Sequence, residues 1–478
     1  QGGGSYRIEL TAGVVLSGST PLLGLSLQGL SLGEGVLDLQ SAILGADTLQ
    51  ALGDGPLHVL PTAEAIGDTL TLIMKPLLNI PAIVIQGDSF DAWADAPQGS
   101  SGWSAALLRD GLRQNLDVLS ASYDPAEEWW HLVLGTPSTG WHGLADLELA
   151  CDTRPTDVSW NAVQVVPALP GSYWIAQVTD THLPTHRYYT EQGALQDSSS
   201  MQDLRAVFED LAVINPAFIL HTGDLVNEGE LEDFLQARYY TKAQRLLAEA
   251  PAPVYLVGGN HDTGGWDATP PSDGTARRDW WRFFGWPRLA DPPAGAPART
   301  QDYSFSYGDL FLVGMEAWVN YDNWLPAIYG NTSFRAAQMS WLQQTLAQAT
   351  PQQHKLLFYH MDFSNQLDLG ALDVELALYG HIHSDSGSLN GPPWELATDQ
   401  CTDNSCAFRL IRVTPAGLQP RETLHACGSD PLQIHWSGPN DGSLDSLTAQ
   451  VVNGYPLAFP EAALSVRLAP GLSQITAS

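Results

Sequence analysis

Hydrophobic and polar positions divide the chain into three textures. Up to about residue 165, short alternating runs such as Leu70-Thr71-Leu72-Ile73-Met74 and Trp129-Trp130-His131-Leu132-Val133-Leu134 lie between turn signals, Gly53-Asp54-Gly55 and Gly135-Thr136-Pro137. Short strands with frequent turns predict an immunoglobulin-like β-sandwich over 1–165. One helix is expected within it, from Ser104 to Leu116, and Pro167 to Ser172 reads as a linker.

From Tyr173 apolar strands alternate with helical patterns, the signature of an α/β sheet. Strands are expected at 173–178, 217–220, 253–257, 302–307, 309–315, 355–359, 374–379, 407–413 and 418–424. Helices are expected over Met201–Ile214, where Leu204, Val207, Phe208 and Leu211 share a face, over Gly229–Ala250, and over Arg335–Ala349. Residues 263–300, rich in Pro, Gly and Trp, read as loop. Beyond Cys427 alternation returns at 447–452 and 463–468. The predicted organisation is an N-terminal β region over 1–165, an α/β domain over 166–427 and a C-terminal β segment over 428–478. Fifty residues are few for an independent sandwich, so this last segment is expected to dock on its neighbours unless the chain continues.

Composition narrows the setting. The 478 residues carry 53 Asp plus Glu against 21 Lys plus Arg, a net charge of −32. Such a surface repels polyanions, which argues against a nucleic acid polymer as partner. No apolar run of spanning length occurs. Cys401 and Cys406 flank a polar stretch, Thr402-Asp403-Asn404-Ser405, that can turn back on itself, so a short-loop disulfide is expected there. The chain opens Gln1-Gly2-Gly3-Gly4-Ser5, a flexible-tether composition. Acidity, scarce lysine and the expected disulfide together predict an exported protein, with a membrane tether through a removed N-terminal lipid anchor as one way of holding it. No obligate protein partner is inferred.

The chemistry-bearing residues fall just past strand candidates: Asp180-Thr181-His182, Gly223-Asp224, Gly259-Asn260-His261-Asp262, His360, and Gly380-His381-Ile382-His383. Loops at the carboxyl ends of strands in an open α/β sheet converge on one crevice. Two carboxylates, one amide oxygen and four imidazoles are too many for one tetrahedral ion. They suit two transition ions, manganese first, iron or zinc as rivals, if one carboxylate bridges. His186, His221 and His354 are read as ordinary histidines.

These five clusters, in this order, resemble the calcineurin-like metallophosphoesterases. The resemblance covers about 173–427 and implies a four-layer α/β/β/α sandwich. It implies one metal held by Asp180, His182, Asp224 and His383, and a second held by Asp224, Asn260, His360 and His381. The segments Asp180–Leu183 and Thr222–Val226 look most like the class III cyclic nucleotide phosphodiesterase branch. That branch often has His-His-x-Pro where this chain has His360-Met361-Asp362-Phe363. Purple acid phosphatases place a tyrosine ligand where this chain has Asn227, and protein serine/threonine phosphatases carry Asp-Arg at Asn227-Glu228. Both of those subfamilies are disfavoured.

Two such cations would activate water for in-line attack on phosphorus. His261, next to a ligand but not one, is the expected general acid, with Asp262 or Asp180 orienting it. The expected substrate is a small phosphoester, a phosphodiester before a monoester. The rivals are a nucleotidase-like phosphomonoesterase and a surface binding protein with an inactive metal centre. The aromatics Trp266, Trp280, Trp281, Trp286, Trp318, Tyr321 and Trp324 are candidates for stacking on substrate, with core packing as the plainer reading.

Overall fold

The computed structural model describes residues 33–37, 42–44, 47–49, 55–59, 68–140, 142–232, 234–263, 275–285, 302–316, 334, 336–427 and 432–468. The chain divides into two compact units, Gln1–Ile66 and Gly67–Ser478. In the first, β1 (Gly33–Leu37) pairs antiparallel with β4 (Gly55–Val59), and β2 (Ala42–Leu44) with β3 (Asp47–Leu49).

The second unit opens with β5 (Ile73–Lys75), β6 (Ala82–Ile85), β7 (Ser89–Ala94), β8 (Ser104–Arg109), β9 (Leu112–Asp124), β10 (Trp129–Gly135), β11 (Gly143–Ala150) and β12 (Asp157–Val166). They form one sheet in the order β5-β7-β10-β9-β8-β11-β12-β6. The long β9 pairs with β8 through Leu112–Leu116 and with β10 through Asp117–Asp124, so it joins two four-stranded halves. Both halves share a core that includes Ala92, Leu107, Leu132, Leu147 and Val163. Alternation explains the facing: on β7, Phe90, Ala92 and Ala94 are buried while Asp91 is exposed.

The helix expected from Ser104 to Leu116 is instead the β8–β9 hairpin. Asp110 and Gly111 form its two-residue turn with φ of 50° and 76°. Two successive positive φ values match the right-handed twist of flanking strands, and Asp-Gly adopts them readily. The apolar run fits either element, and the turn residues decide.

The α/β body follows. One five-stranded sheet, ordered β15-β14-β13-β21-β22, contains β13 (Tyr173–Val178), β14 (Phe218–His221), β15 (Val254–Leu256), β21 (Ala407–Thr414) and β22 (Gly417–His425). The other runs β16-β17-β18-β19-β20: β16 (Tyr303–Tyr307), β17 (Leu310–Gly314), β18 (His354–Phe358), β19 (Leu376–Tyr379) and β20 (Trp394–Ala397). The sheets share an apolar core, with Ile175, Phe218 and Ile411 from one and Leu312, Phe358 and Leu378 from the other. The helices are α1 (Ser199–Ile214), α2 (Tyr239–Leu247), α3 (Asn260–Thr263), α4 (Thr275–Phe284) and α5 (Ala336–Leu346). Leu342 and Leu346 of α5 pack with Phe311, Val313 and Leu357 on the second sheet's opposite face. The central strands β13, β14, β17 and β19 are buried on both faces, as the parallel part of such a sheet requires.

Two helical expectations change. The helix expected over 229–250 shortens to α2. Upstream, Leu235, Gln236 and Arg238 have φ of 53°, 54° and 59°, incompatible with a continuous helix. The buried Glu232 carboxylate accepts from the Thr241 N–H at 3.0 Å and its hydroxyl at 2.6 Å, anchoring the restart. Residues 275–284, read as loop, form α4. Its buried Trp280, Phe283 and Phe284 pack on Tyr240.

The β8–β9 sheet domain is fastened to this body. Tyr255 donates to the Pro81 carbonyl, Gln244 to Asp68 and Asn161 to Ala248. Ile80 enters the inter-sheet core. At the other end, β23 (Leu432–Trp436) and β24 (Ala449–Asn453) form a hairpin. The segment after it docks: Tyr455 donates to Asp210 at 2.5 Å, Phe459 meets Trp174 edge-on, and Glu461 pairs with Arg412. No strand forms over 463–468, against expectation; Ala463 instead bonds to the Val213 carbonyl at 2.9 Å.

The disulfide also differs. Cys406 joins Cys427, and Cys401 is a buried free thiol. Cys406 and Cys427 flank the β21–β22 ladder, whose register pairs Ala407 with His425, so their Cα atoms lie 5.4 Å apart. The ladder brings together residues 21 positions apart, a pairing sequence spacing does not reveal.

Candidate metal centre

Every candidate ligand sits within a few residues of a strand's carboxyl end. Asp180 and His182 follow β13, Asp224 follows β14, Asn260 follows β15, His360 follows β18, and His381 and His383 follow β19. Backbone bonds knit the first two loops: Asp180 N–H to Gly223 O at 3.0 Å, His182 N–H to Asp224 O at 3.0 Å, and Leu183 N–H to Leu225 O at 2.8 Å.

The ligand atoms converge in two groups. In one, an atom each from Asp180, His182, Asp224 and His383 lies within 4.8 Å of the others; in the second, so do atoms of Asp224, His360 and His381. Asp224 belongs to both, as a bridge would. Asn260 is buried, and its Oδ1 accepts no hydrogen bond. An orphaned buried acceptor costs about 1–3 kcal/mol, which a bound cation would offset. His360 Nε2 lies 2.9 Å from Asp224 Oδ2, yet outside hydrogen-bond geometry. Nitrogen and oxygen donors without thiolate fit transition ions.

Outer groups fix each imidazole. His360 Nδ1 donates to the Thr222 carbonyl at 2.8 Å, and His182 Nδ1 to Asn227 Oδ1 at 3.1 Å. Each Nε2 is thereby turned inward; His182 Nε2 comes to 3.1 Å from His383 Nε2. Fixing one ring nitrogen to leave the other for a metal is the usual arrangement of ligating histidines.

The charges also call for a cation. Burial pulls the His360 pKa down, yet Asp224 and Asp180 push it up to about 9. Burial would raise Asp180, but the His383 hydrogen bond and the His360 charge hold it below the usual carboxylate range. Without a cation, protons on imidazoles balance two buried carboxylates.

The backbone is shaped for this convergence. Asp180, His182, Asp224, His381 and His383 have φ of 50°, 43°, 51°, 68° and 50°. Left-handed backbone at non-glycine residues is costly and clusters at functional sites. Two neighbouring glycines are needed for space. A Cβ on Gly259 would meet Asp224 Oδ1 at 2.1 Å, and one on Gly380 would meet Thr179 Oγ1 at 1.9 Å.

His261 stands beside both groups. Its N–H donates to Asp224 Oδ1 at 2.9 Å, and its Nδ1 donates to the Asn227 carbonyl at 2.5 Å. The expected orienting role of Asp262 is not what the structure shows. Its carboxylate accepts from the N–H groups of Leu225, Val226 and Gly259 at 3.1, 2.9 and 2.8 Å. Asp262 braces the loops around Asp224, and Asn227 positions His261. Burial, then Asp224, raises the Asp262 pKa to about 7.

Sequence reasoning missed Asn227, which contacts His182 and His261 and also donates to the Arg187 carbonyl. The available signal was its place three residues past Asp224. His221, read as ordinary, links the loops: Gly223 N–H donates to its Nδ1, and its Nε2 reaches Thr181 Oγ1 at 3.1 Å. Among the proposed substrate aromatics, Trp280 is fully buried in packing. Trp266, Trp286, Trp318, Tyr321 and Trp324 lie outside the described residues.

Residues 173–385 match the family model described as calcineurin-like phosphoesterase. That family uses a dinuclear metal centre, and the matched stretch carries candidate metal-binding residues. No curated protein matches the chain by sequence. Among solved structures, it is similar to a purple acid phosphatase from yellow lupin (Lupinus luteus) seeds, at 13% identity and TM-score 0.40, covering 71% of this chain and 72% of that one. A dimetal phosphatase from Danio rerio matches at 14% identity and TM-score 0.38, covering 54% and 99%. A putative 5'-nucleotidase from Staphylococcus aureus matches at 13% and 0.37, covering 55% and 56%.

Proposed function

We propose that the protein is a metal-dependent phosphoester hydrolase acting on small phosphodiesters, nearest the class III phosphodiesterase-like branch. The observation that carries the reading is the pair of ligand groups sharing Asp224, with His261 alongside. Asp180, His182, Asp224 and His383 would hold one ion; Asp224, Asn260, His360 and His381 the other. When bound, such a pair supplies an activated water and neutralises charge on the phosphoryl oxygens. Manganese is the favoured pair, with iron or zinc as rivals.

The side chains then do the rest. Because Nδ1 of His261 is committed to the Asn227 carbonyl, Nε2 is the nitrogen that delivers a proton to the leaving oxygen. Asp224 and Asn227 fix the residue from both sides and hold the ring against His182. The eight-stranded sheet, two four-stranded halves over one core, we read as an immunoglobulin-like sandwich fastened to the catalytic body. Export is our reading of the composition, and a −32 charge disfavours nucleic acid as substrate.

The test compares hydrolysis of bis(p-nitrophenyl) phosphate with p-nitrophenyl phosphate, with and without manganese, in wild type and His261→Ala. We expect metal-dependent activity, faster on the diester. In His261→Ala, turnover falls about 100-fold or more while metal content is unchanged. Preference for the monoester would replace the diesterase reading with a phosphatase. Activity on neither would favour a binding protein.

A further inference from the structure

We propose that His186, held by Asp403, is an additional protein ligand of the first metal position. That position would then carry a three-imidazole face that the second lacks. The inference rests on the metal-centre reading above and deepens it.

The rings of His182, His186 and His383 form a triangle. Their centroids lie 4.3 Å apart for His182–His186, 5.1 Å for His182–His383 and 5.3 Å for His186–His383. One nitrogen of each lies within 4.8 Å of the other two. This group shares His182 and His383 with the group that holds Asp180 and Asp224, and His182 and His186 stack with 27° between their ring planes, so a turn of the His186 ring is what would bring its nitrogen to the shared cation.

The tautomer fits. His186 Nδ1 lies 2.7 Å from Asp403 Oδ2. A carboxylate only accepts, so Nδ1 carries the hydrogen, and in the neutral ring Nε2 is left with the lone pair. A carboxylate behind a histidine is the common support for a metal ligand.

The plainer reading is an exposed ion pair, since the side chains are 26% and 52% exposed. Exposed pairs contribute little, and the effort spent placing this one argues against it. The loop bearing Asp403 is bonded to the segment bearing the first ligands: Cys401 N–H to the Thr179 carbonyl at 3.0 Å and Thr402 N–H to the Asp180 carbonyl at 3.3 Å. Thr402 also meets Ser200 at 2.6 Å, and Asn404 N–H reaches Asp203 at 3.1 Å. The Cys406–Cys427 bond closes its root. Asp403 and Asn404 sit at φ of 59° and 60°, left-handed backbone that Asp and Asn adopt as turn residues. Gln400 steadies the carboxylate, donating to Oδ2 at 3.2 Å. At the second position the ring behind Asp224, His360, is backed by a backbone carbonyl instead.

The test is calorimetric titration of metal-free protein with Mn²⁺ for wild type, His186→Ala and Asp403→Asn, with Co²⁺ absorption as a second readout. Wild type should show two sites. His186→Ala should weaken one about 10–100-fold and leave the other unchanged, with altered Co²⁺ bands for the weakened site. Asp403→Asn should weaken the same site by less. Equal melting temperatures of the metal-free proteins would establish that His186→Ala is folded. Two sites of wild-type affinity in His186→Ala would overturn the inference and leave the metal centre standing; a raised KM with unchanged affinities would assign His186 to substrate. A wild type that binds no Mn²⁺ or Co²⁺ would overturn both.

Discussion

The sheet domain of residues 68–166 and the strand ends of the α/β body follow opposite rules. In the sheet domain the interior is apolar, and Ala92, Leu107, Leu132 and Leu147 are fully buried. Positive φ at Asp110 and Gly111 falls in an exposed hairpin turn. At the strand ends the interior is polar: Asp180, His182, Asp224, Asn260 and His360 are all at most 3% exposed. Their backbones include left-handed residues with side chains. In the sheet domain non-glycine residues with left-handed backbone are Asp110, Glu128 and Asn161, none of them a candidate ligand; at the strand ends five of the seven candidate ligands are left-handed. Such violations persist only where something else compensates, and here the candidate is bound metal.

The sharpest way to break this contrast is Asp224→Asn. Asp224 belongs to both ligand groups, so the variant should lose both high-affinity ions. Activity should fall more than about 100-fold, beyond what loss of an outer support costs. A ligand at a hundred times its dissociation constant stabilises a fold by about 2.7 kcal/mol, so Mn²⁺ should raise the wild-type melting temperature. Asp224→Asn should lose that increase. A variant that still melts higher with Mn²⁺ would mean the ions do not compensate for the polar interior.

Leu147→Ala sharpens the comparison from the other side. Leu147 is fully buried and pairs in register with Leu107 across β11 and β8. Truncating a buried leucine costs about 2–5 kcal/mol. The loss should be the same with and without Mn²⁺, and the folded fraction should keep its activity. A loss that depends on metal would show that the sheet domain and the site are coupled.

These two regions were unequally legible in sequence. The ligands were readable because each sits just past an apolar run, where a polar cluster has no packing reason to be. Asp262 looked like a partner for His261 because it is adjacent in sequence; two of its three carboxylate bonds come from Leu225 and Val226, over thirty residues away. His186 and Asp403 are 217 positions apart, and no local pattern relates them. The Cys406–Cys427 bond escaped notice for the same reason, since strand register sets it. In the sheet domain the strands near 70–74 and 129–134 were legible from alternation. The β8–β9 hairpin was not, because Ala105, Ala106, Leu107 and Leu108 fit either period. There the information lay in Asp110-Gly111, a turn signal outside the apolar pattern.

That turn gives the smallest expected effect. Gly111 has φ of 76°, and a Cβ built on it meets nothing within 4 Å. Gly223 shows the contrast: φ is 98°, and a Cβ there would strike the His360 ring at 2.7 Å. At Gly111 the backbone alone resists a side chain, and left-handed backbone costs an L-residue about 1–2 kcal/mol. Gly111→Ala should therefore lower stability by about that amount, measured by urea unfolding with and without Mn²⁺, and leave hydrolysis and metal affinity unchanged. A loss near zero would mean the hairpin relaxes into another turn. A loss above about 3 kcal/mol, or a change in metal affinity, would mean the turn is coupled to the rest of the molecule, and the division between a domain that obeys local rules and a site that breaks them would not hold.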